Sequence, residues 1–138
     1  MVTINPYLNF TGNTEEAFLF YKSVFGGEFR VLQRFKDTPE ATRVPAHEHE
    51  KIMHIALPVG GNLLMATDAL KSMGHTVTVG SNMSISIDAE SEEEANQVFS
   101  ELAAGGNVSV PLEKMSWCAY FGMLTDKFGM QWMVNYNG

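Results

Sequence analysis

The sequence predicts an α+β protein built from two tandem βαβββ modules, and three observations carry that prediction. The element order reads β-α-β-β-β, then a polar connection, then β-α-β-β-β again. Glu16-Ala17 recurs as Glu94-Ala95 and Tyr21 as Phe99, at an offset of 78, and the pair Gly26-Gly27 recurs as Gly105-Gly106 at 79. Both helical segments place their apolar residues at i, i+3, i+4 and i+7, whereas the intervening segments alternate with a period of two. Module one covers about 1–68, a linker about 69–81 and module two about 82–138, all within one domain spanning 1–138. With their sheets edge to edge, the modules would form a cupped mixed sheet with the helices on its convex side.

Residues 3–10 read as the first strand, with Ile4, Leu8 and Phe10 sharing one parity and Asn5, Tyr7 and Asn9 the other. Gly12-Asn13-Thr14-Glu15-Glu16 supplies a turn and an N-cap, with acids in the first turn of a helix whose apolar face is Ala17, Phe20, Tyr21, Val24 and Phe25. Gly26-Gly27 ends that helix. Residues 28–35 form a second strand, and 36–50 a polar loop with Pro39 and Pro45.

The stretch 51–68, KIMHIALPVGGNLLMATD, reads as a β-hairpin turning through residues 58–62. Strict alternation puts Met53, Ile55 and Leu57 on one face and Ile52, His54 and Ala56 on the other, so register decides where His54 points.

In module two, residues 82–88 alternate Met83, Ile85 and Ile87 against Asn82, Ser84 and Ser86. Ser91-Glu92-Glu93-Glu94 then caps a helix carrying Ala95, Val98, Phe99 and Leu102 on one face. Three strands follow at 107–112, 118–125 and 130–136, the last two joined by Asp126-Lys127-Phe128-Gly129.

The chain has 138 residues, of which 45% are hydrophobic, enough for one compact unit. A net charge of −7, with nine Lys and Arg, argues against nucleic acid as a partner, because phosphate binding needs a basic face. Cys118 is the single cysteine, so neither an intramolecular disulfide nor a cysteine-based metal site can form. No apolar run approaches the roughly 20 residues that span a bilayer, and the N-terminus lacks a signal-like pattern. The expectation is a cytoplasmic protein with no membrane partner. Nine methionines and nine phenylalanines fit either an adaptable core or a cavity lined with soft apolar groups.

PYLNF at 6–10, EEAFLFYKSVFGGEF at 15–29, KIMHIALPVGGNLLMATD at 51–68 and YFGMLTDKFGMQWMVN at 120–135 resemble the PhnB-like branch of the vicinal oxygen chelate superfamily. Glyoxalase I, bleomycin-resistance proteins and extradiol dioxygenases share its fold. The resemblance covers nearly the whole chain and implies a homodimer. It leaves the chemistry open, since this fold hosts isomerases, lyases, dioxygenases and plain drug-binding proteins. Branch members often carry a demethylubiquinone methyltransferase label, yet no glycine-rich nucleotide loop occurs in this sequence.

Metal-dependent members of the superfamily hold a divalent ion with inward residues from the first and last strand of each module. Carried over one by one, those positions fall near Pro6, with Asn5 and Tyr7 as neighbours, and on His54, Asn82 and Met133. His54 is the one good ligand of the four, so no metal cofactor is expected; if one were present, His54 would be its first ligand. His47 and His49, close to His54, give an alternative metal reading against that of a hydrated loop end.

The expectation is therefore a small molecule bound in the cupped-sheet cleft by Tyr7, Asn9, His54, Asn82, Trp117, Tyr120 and Met133, without metal. His54 is the candidate catalytic or hydrogen-bonding group, the alternative being a structural partner. Trp117 and Tyr120 would stack on a flat or apolar ligand. Cys118 has no base beside it in sequence to activate a thiolate. Asp68 suits either an acid–base role at the cleft mouth or a turn cap. Two other functions stay open: a metal-dependent isomerase, lyase or dioxygenase, and a purely structural or interaction role.

Overall fold

The computed structural model describes residues 2–117 and 119–138. The chain divides between Thr78 and Val79 into two compact units, each a βαβββ module with a four-stranded mixed sheet.

Module one contains β1 (Tyr7–Phe10), α1 (Thr14–Phe25), β2 (Val31–Arg34), β3 (Ile52–Val59) and β4 (Asn62–Asp68), in the sheet order β1-β4-β3-β2. β1 runs parallel to β4, and the other neighbours are antiparallel. α1 packs on β3 and β4 and buries Ala17, Phe18 and Tyr21 against Leu8, Phe10, Ile55, Leu57, Leu64 and Ala66. Burying each large side chain contributes about 1.5–3 kcal/mol.

Asn13 does not cap α1 with its side chain. Asp68 does so from the end of β4, its Oδ1 accepting hydrogen bonds from Gly12 N (3.0 Å), Thr14 N (3.1 Å) and Thr14 Oγ1 (2.7 Å). Arg34 binds the first turn of α1 through a forked pair with Glu15, at 2.9 and 2.6 Å. Gly26, at φ 77°, closes the helix by donating its N–H to Lys22 O.

The first strand begins at Tyr7, not at residue 3, and Ile4 is 81% exposed rather than part of the core face. Ahead of Tyr7 one backbone bond remains, Met65 N to Pro6 O at 3.1 Å, and before it side chains replace the ladder: Asn5 Oδ1 accepts from Leu63 N, and Asn62 Nδ2 donates to Ile4 O. The hairpin turn is also tighter than expected. Val59 pairs with Asn62, leaving a two-residue loop, Gly60-Gly61, in which Gly60 takes φ 59°.

The expected alternation fails at one residue of β3. Gln33 pairs with His54 but Arg34 pairs with Ile52, so Met53 is a bulge. Ile52 is thereby turned to the α1 side at 1% exposure and does not share the face of His54. Two hydrogen bonds hold the bulge, Ile52 N to Asp68 Oδ2 (2.8 Å) and Thr67 Oγ1 to Met53 O (2.6 Å). Met53 packs against a small cluster of Phe35, Val44 and Leu70 that anchors the loop of three 3-10 turns between β2 and β3. Beyond β4, the connection contains a further 3-10 turn, Lys71–Met73.

Module two contains β5 (Ile85–Asp88), α2 (Glu92–Ala103), β6 (Asn107–Lys114), β7 (Tyr120–Thr125) and β8 (Gln131–Tyr136), in the order β5-β8-β7-β6. α2 is the helix the spacing predicts. Ser91 Oγ accepts from Glu94 N at 3.0 Å, and Ala95, Val98, Phe99 and Leu102 are buried. Their counterparts are Leu124, Trp132 and Val134. Gly122 lies where α2 and β6 press closest: a Cβ there would meet Phe99 Cε2 at 2.7 Å and Leu112 Cα at 2.8 Å. The turn before β8 closes on Asp126, whose Oδ1 accepts from Phe128 N and Met130 N and whose Oδ2 accepts from Trp132 Nε1.

β5 starts at Ile85 instead of residue 82, because the Gln131 side-chain amide takes up Met83 O at 2.8 Å ahead of the ladder. β6 extends to Lys114 as an edge strand with two irregularities in register. The expected start of the next strand at Cys118 lies outside the described residues.

Candidate functional site

Register and burial together assign each strand residue of module one to a face. Leu8, Ile55, Leu57, Leu64, Ala66 and Asp68 lie on the α1 side. Tyr7 and Asn9 pair with Met65 and Thr67, and His54 with Gln33, so all of these occupy the face away from α1.

On that face the structure joins Tyr7 to His54. Tyr7 Oη lies 3.1 Å from His54 Nδ1, and the rings stack with centroids 5.7 Å apart and planes 14° from parallel. Burial pushes the Tyr7 phenol above its ordinary range, against a smaller opposing effect from a hydrogen bond with Thr67. The phenol therefore keeps its proton at neutral pH. It either donates to Nδ1 or accepts from Nδ1–H, and in both arrangements His54 Nε2 has no hydrogen-bond partner among the described residues. Thr67 also fixes the bulge beside His54, its Oγ1 donating to Met53 O at 2.6 Å. Asn9 sits on the same face, paired with Thr67.

The expected site residues of module two divide. Met133 lies on the face away from α2, directly opposite Met123, and Phe121 shares that face. Trp117 is 64% exposed, with its ring 6.1 Å from that of Phe121. Tyr120 is on the other face. It has the parity of buried Gly122 and Leu124, and its hydroxyl donates to Asn96 Oδ1 of α2 at 2.9 Å. Asn82 is exposed and precedes β5, so it is not a strand residue. Tyr120 and Asn82 are thus not placed with Met133.

Asp68 is 3% exposed, and both carboxylate oxygens are taken by structural hydrogen bonds, so it is a cap rather than an acid or base. His49 is a loop fastener: its Nε2 contacts Ala41 O (3.1 Å) and Val44 O (3.0 Å). Among the described residues no group of three or more His, Cys, Asp or Glu is arranged to hold a metal. Cys118 lies outside the described residues.

The strand order also moves the metal-ligand positions that the resemblance implies. His54 is on β3, whereas the last strand of module one is β4, and the residue there that pairs with Tyr7 of β1 is Met65. The equivalent pair in module two is Ser86 and Met133. These two pairs supply a phenol and a thioether in one module and a hydroxyl and a thioether in the other; Asp88, one step further along the same face of β5, is a carboxylate that accepts from its pair partner Asn135 at 3.2 Å. Divalent zinc, iron or manganese takes several imidazole and carboxylate donors together, and a thioether suits soft ions; within neither module do these strand positions gather such a set among the described residues. Met65 and Thr67 were missed in the sequence because the parallel β1–β4 pairing that sets them beside Tyr7 and Asn9 leaves no local signal, and Gln33 because its partner His54 lies across a long loop.

Two βαβββ modules in tandem, with these sheet orders, define a protein of the vicinal oxygen chelate class. An enzyme of the glyoxalase/bleomycin resistance/dioxygenase family from Burkholderia phytofirmans PsJN shares the fold at a TM-score of 0.59 and 18% identity, over 96% of this chain and 97% of that one. The family model for 3-demethylubiquinone-9 3-methyltransferase matches residues 2–135, and the chain belongs to that family, the PhnB-like branch of the class. Protein PA1353 from Pseudomonas aeruginosa is 41% identical, with a TM-score of 0.87 over 99% of this chain and 98% of that one. The PhnB protein from Bacillus cereus is 29% identical, with a TM-score of 0.78 over 98% and 99% of the two chains. Protein YjdN of Escherichia coli K12 is 29% identical, over 96% of this chain and 93% of its own length.

Proposed function

We propose that this chain binds a small organic molecule on the face of module one away from α1, without a divalent ion, and that His54 and Tyr7 are its polar anchor. The observation that carries this reading is the 3.1 Å contact between Tyr7 Oη and His54 Nδ1, which holds the imidazole in place and leaves Nε2 for a ligand. In this role His54 accepts or donates one hydrogen bond, and Tyr7 sets its orientation. Methyl transfer is not supported by the chain's own residues. The turns entering α1 and α2, Thr11-Gly12-Asn13 and Ala89-Glu90-Ser91, lack the glycine-rich pattern that cradles a nucleotide-type cofactor. The homodimer implied by the resemblance is part of the proposal and is checked by sedimentation.

The test is elemental analysis of protein purified without chelator, followed by thermal shift with nickel, zinc, manganese and iron, and with a metabolite and antibiotic library. The expected result is substoichiometric metal, together with library hits that stabilise the wild type but not His54→Ala. Stoichiometric metal that is lost in His54→Ala overturns the proposal in favour of a metal-dependent enzyme.

A further inference from the structure

The two charged residues of the module one sheet, Arg34 and Asp68, both lie on the α1 side and are both engaged there. Arg34 is paired with Glu15, and Asp68 accepts from Gly12, Thr14 and Ile52. Across the opposite face, from Val31 and Gln33 of β2 through His54 to Leu63, Met65 and Thr67 of β4, no strand position is Lys, Arg, Asp or Glu. This neutrality stands out in a chain of net charge −7. An ionised ligand would lose hydration on this face and meet no strand Lys, Arg, Asp or Glu to compensate it, whereas an apolar body meets Leu63 and Met65. The polar demand is concentrated at His54 Nε2, which donates or accepts according to tautomer. A hydroxyl can answer either way.

We infer that the ligand is an uncharged, largely apolar alcohol or phenol whose hydroxyl hydrogen-bonds to His54 Nε2. The inference rests on the binding face proposed above and narrows it to one chemical class.

Three matched probes test it on the full-length, isotope-labelled protein by amide and imidazole NMR: 4-ethylphenol, 4-ethylbenzoate and ethylbenzene. The expected result is that 4-ethylphenol shifts the signals of Gln33, His54, Met65 and Thr67, with a Kd about tenfold lower than either other probe. In His54→Ala its advantage over ethylbenzene disappears while ethylbenzene still binds, and His54→Gln, which keeps a donor and an acceptor, restores part of it. Unshifted α1 signals confirm that each variant is folded. Equal or tighter binding of 4-ethylbenzoate on this face overturns the inference and leaves the binding-face reading standing, as does a phenol advantage that survives in His54→Ala. If none of the probes moves these signals, both fall together.

Discussion

The Ile52 amide donates to Asp68 Oδ2 at 2.8 Å, while Oδ1 of the same carboxylate accepts from Gly12, Thr14 N and Thr14 Oγ1. One side chain thus closes the N-terminus of α1 and holds the strand entering the bulge at Met53. A one-residue slip in β3 would turn His54 toward α1, so Asp68 sets the face of the histidine from behind the sheet.

Asp68→Ala would leave several buried donors without an acceptor, at roughly 1–3 kcal/mol each. The expected loss of stability is about 3–5 kcal/mol by urea denaturation. Asp68→Asn, which keeps one carbonyl oxygen but sets an NH2 against backbone donors, should lose less. A loss in Asp68→Ala below about 1 kcal/mol would show that these donors find water instead.

What could be read from the sequence was local. The core face of α2 follows from the spacing of Ala95, Val98, Phe99 and Leu102, and the hairpin follows from two apolar runs around Gly60-Gly61. What could not be read depends on residues distant in the chain. The bulge that separates Ile52 from His54 is fixed by Thr67 and Asp68, and the pairing of Tyr7 with Met65 joins strands separated by a helix and two further strands. Tyr120 faces α2 and not the cleft side that the sequence suggests, for a different reason. Phe121 and Met123 are as apolar as Gly122 and Leu124, so alternation carried no sign of which set faces α2.

Acid should weaken the α1–β2 contact. The Arg34 guanidinium, mainly through its hydrogen bond, holds the Glu15 carboxyl below its ordinary range, with desolvation acting the other way. A folded-state pKa below the unfolded one gives stability that is complete above the unfolded value, about 4.3, and is lost as pH falls through the lower folded value. Because the Glu15 side chain is 45% exposed, solvent screening limits the effect. Glu15→Gln should lose under about 1 kcal/mol near neutrality, and its difference from wild type should shrink near pH 3. Urea midpoints at the two pH values measure this, and a constant difference would mean that Glu15 acts through packing rather than charge.

Alkali should act through Tyr7. Burial raises its phenol pKa, so the protonated form is favoured by folding; the associated stability is complete below the unfolded value, near 10, and is lost as pH rises through the folded value. Tyr7→Phe retains a ring to stack on His54 and removes the hydroxyl that contacts Nδ1. The expected loss near neutrality is about 0.5–1.5 kcal/mol, the worth of one hydrogen bond, and the variant's stability should fall less steeply at high pH than that of the wild type. The ultraviolet tyrosinate titration should lose a component that rises above the ordinary tyrosine range, and the His54 imidazole signals should shift while α1 stays unperturbed. If the component lost instead titrates at the ordinary tyrosine value, Tyr7 is hydrated, and the stacked pair does not hold His54 firmly enough to serve as a binding anchor.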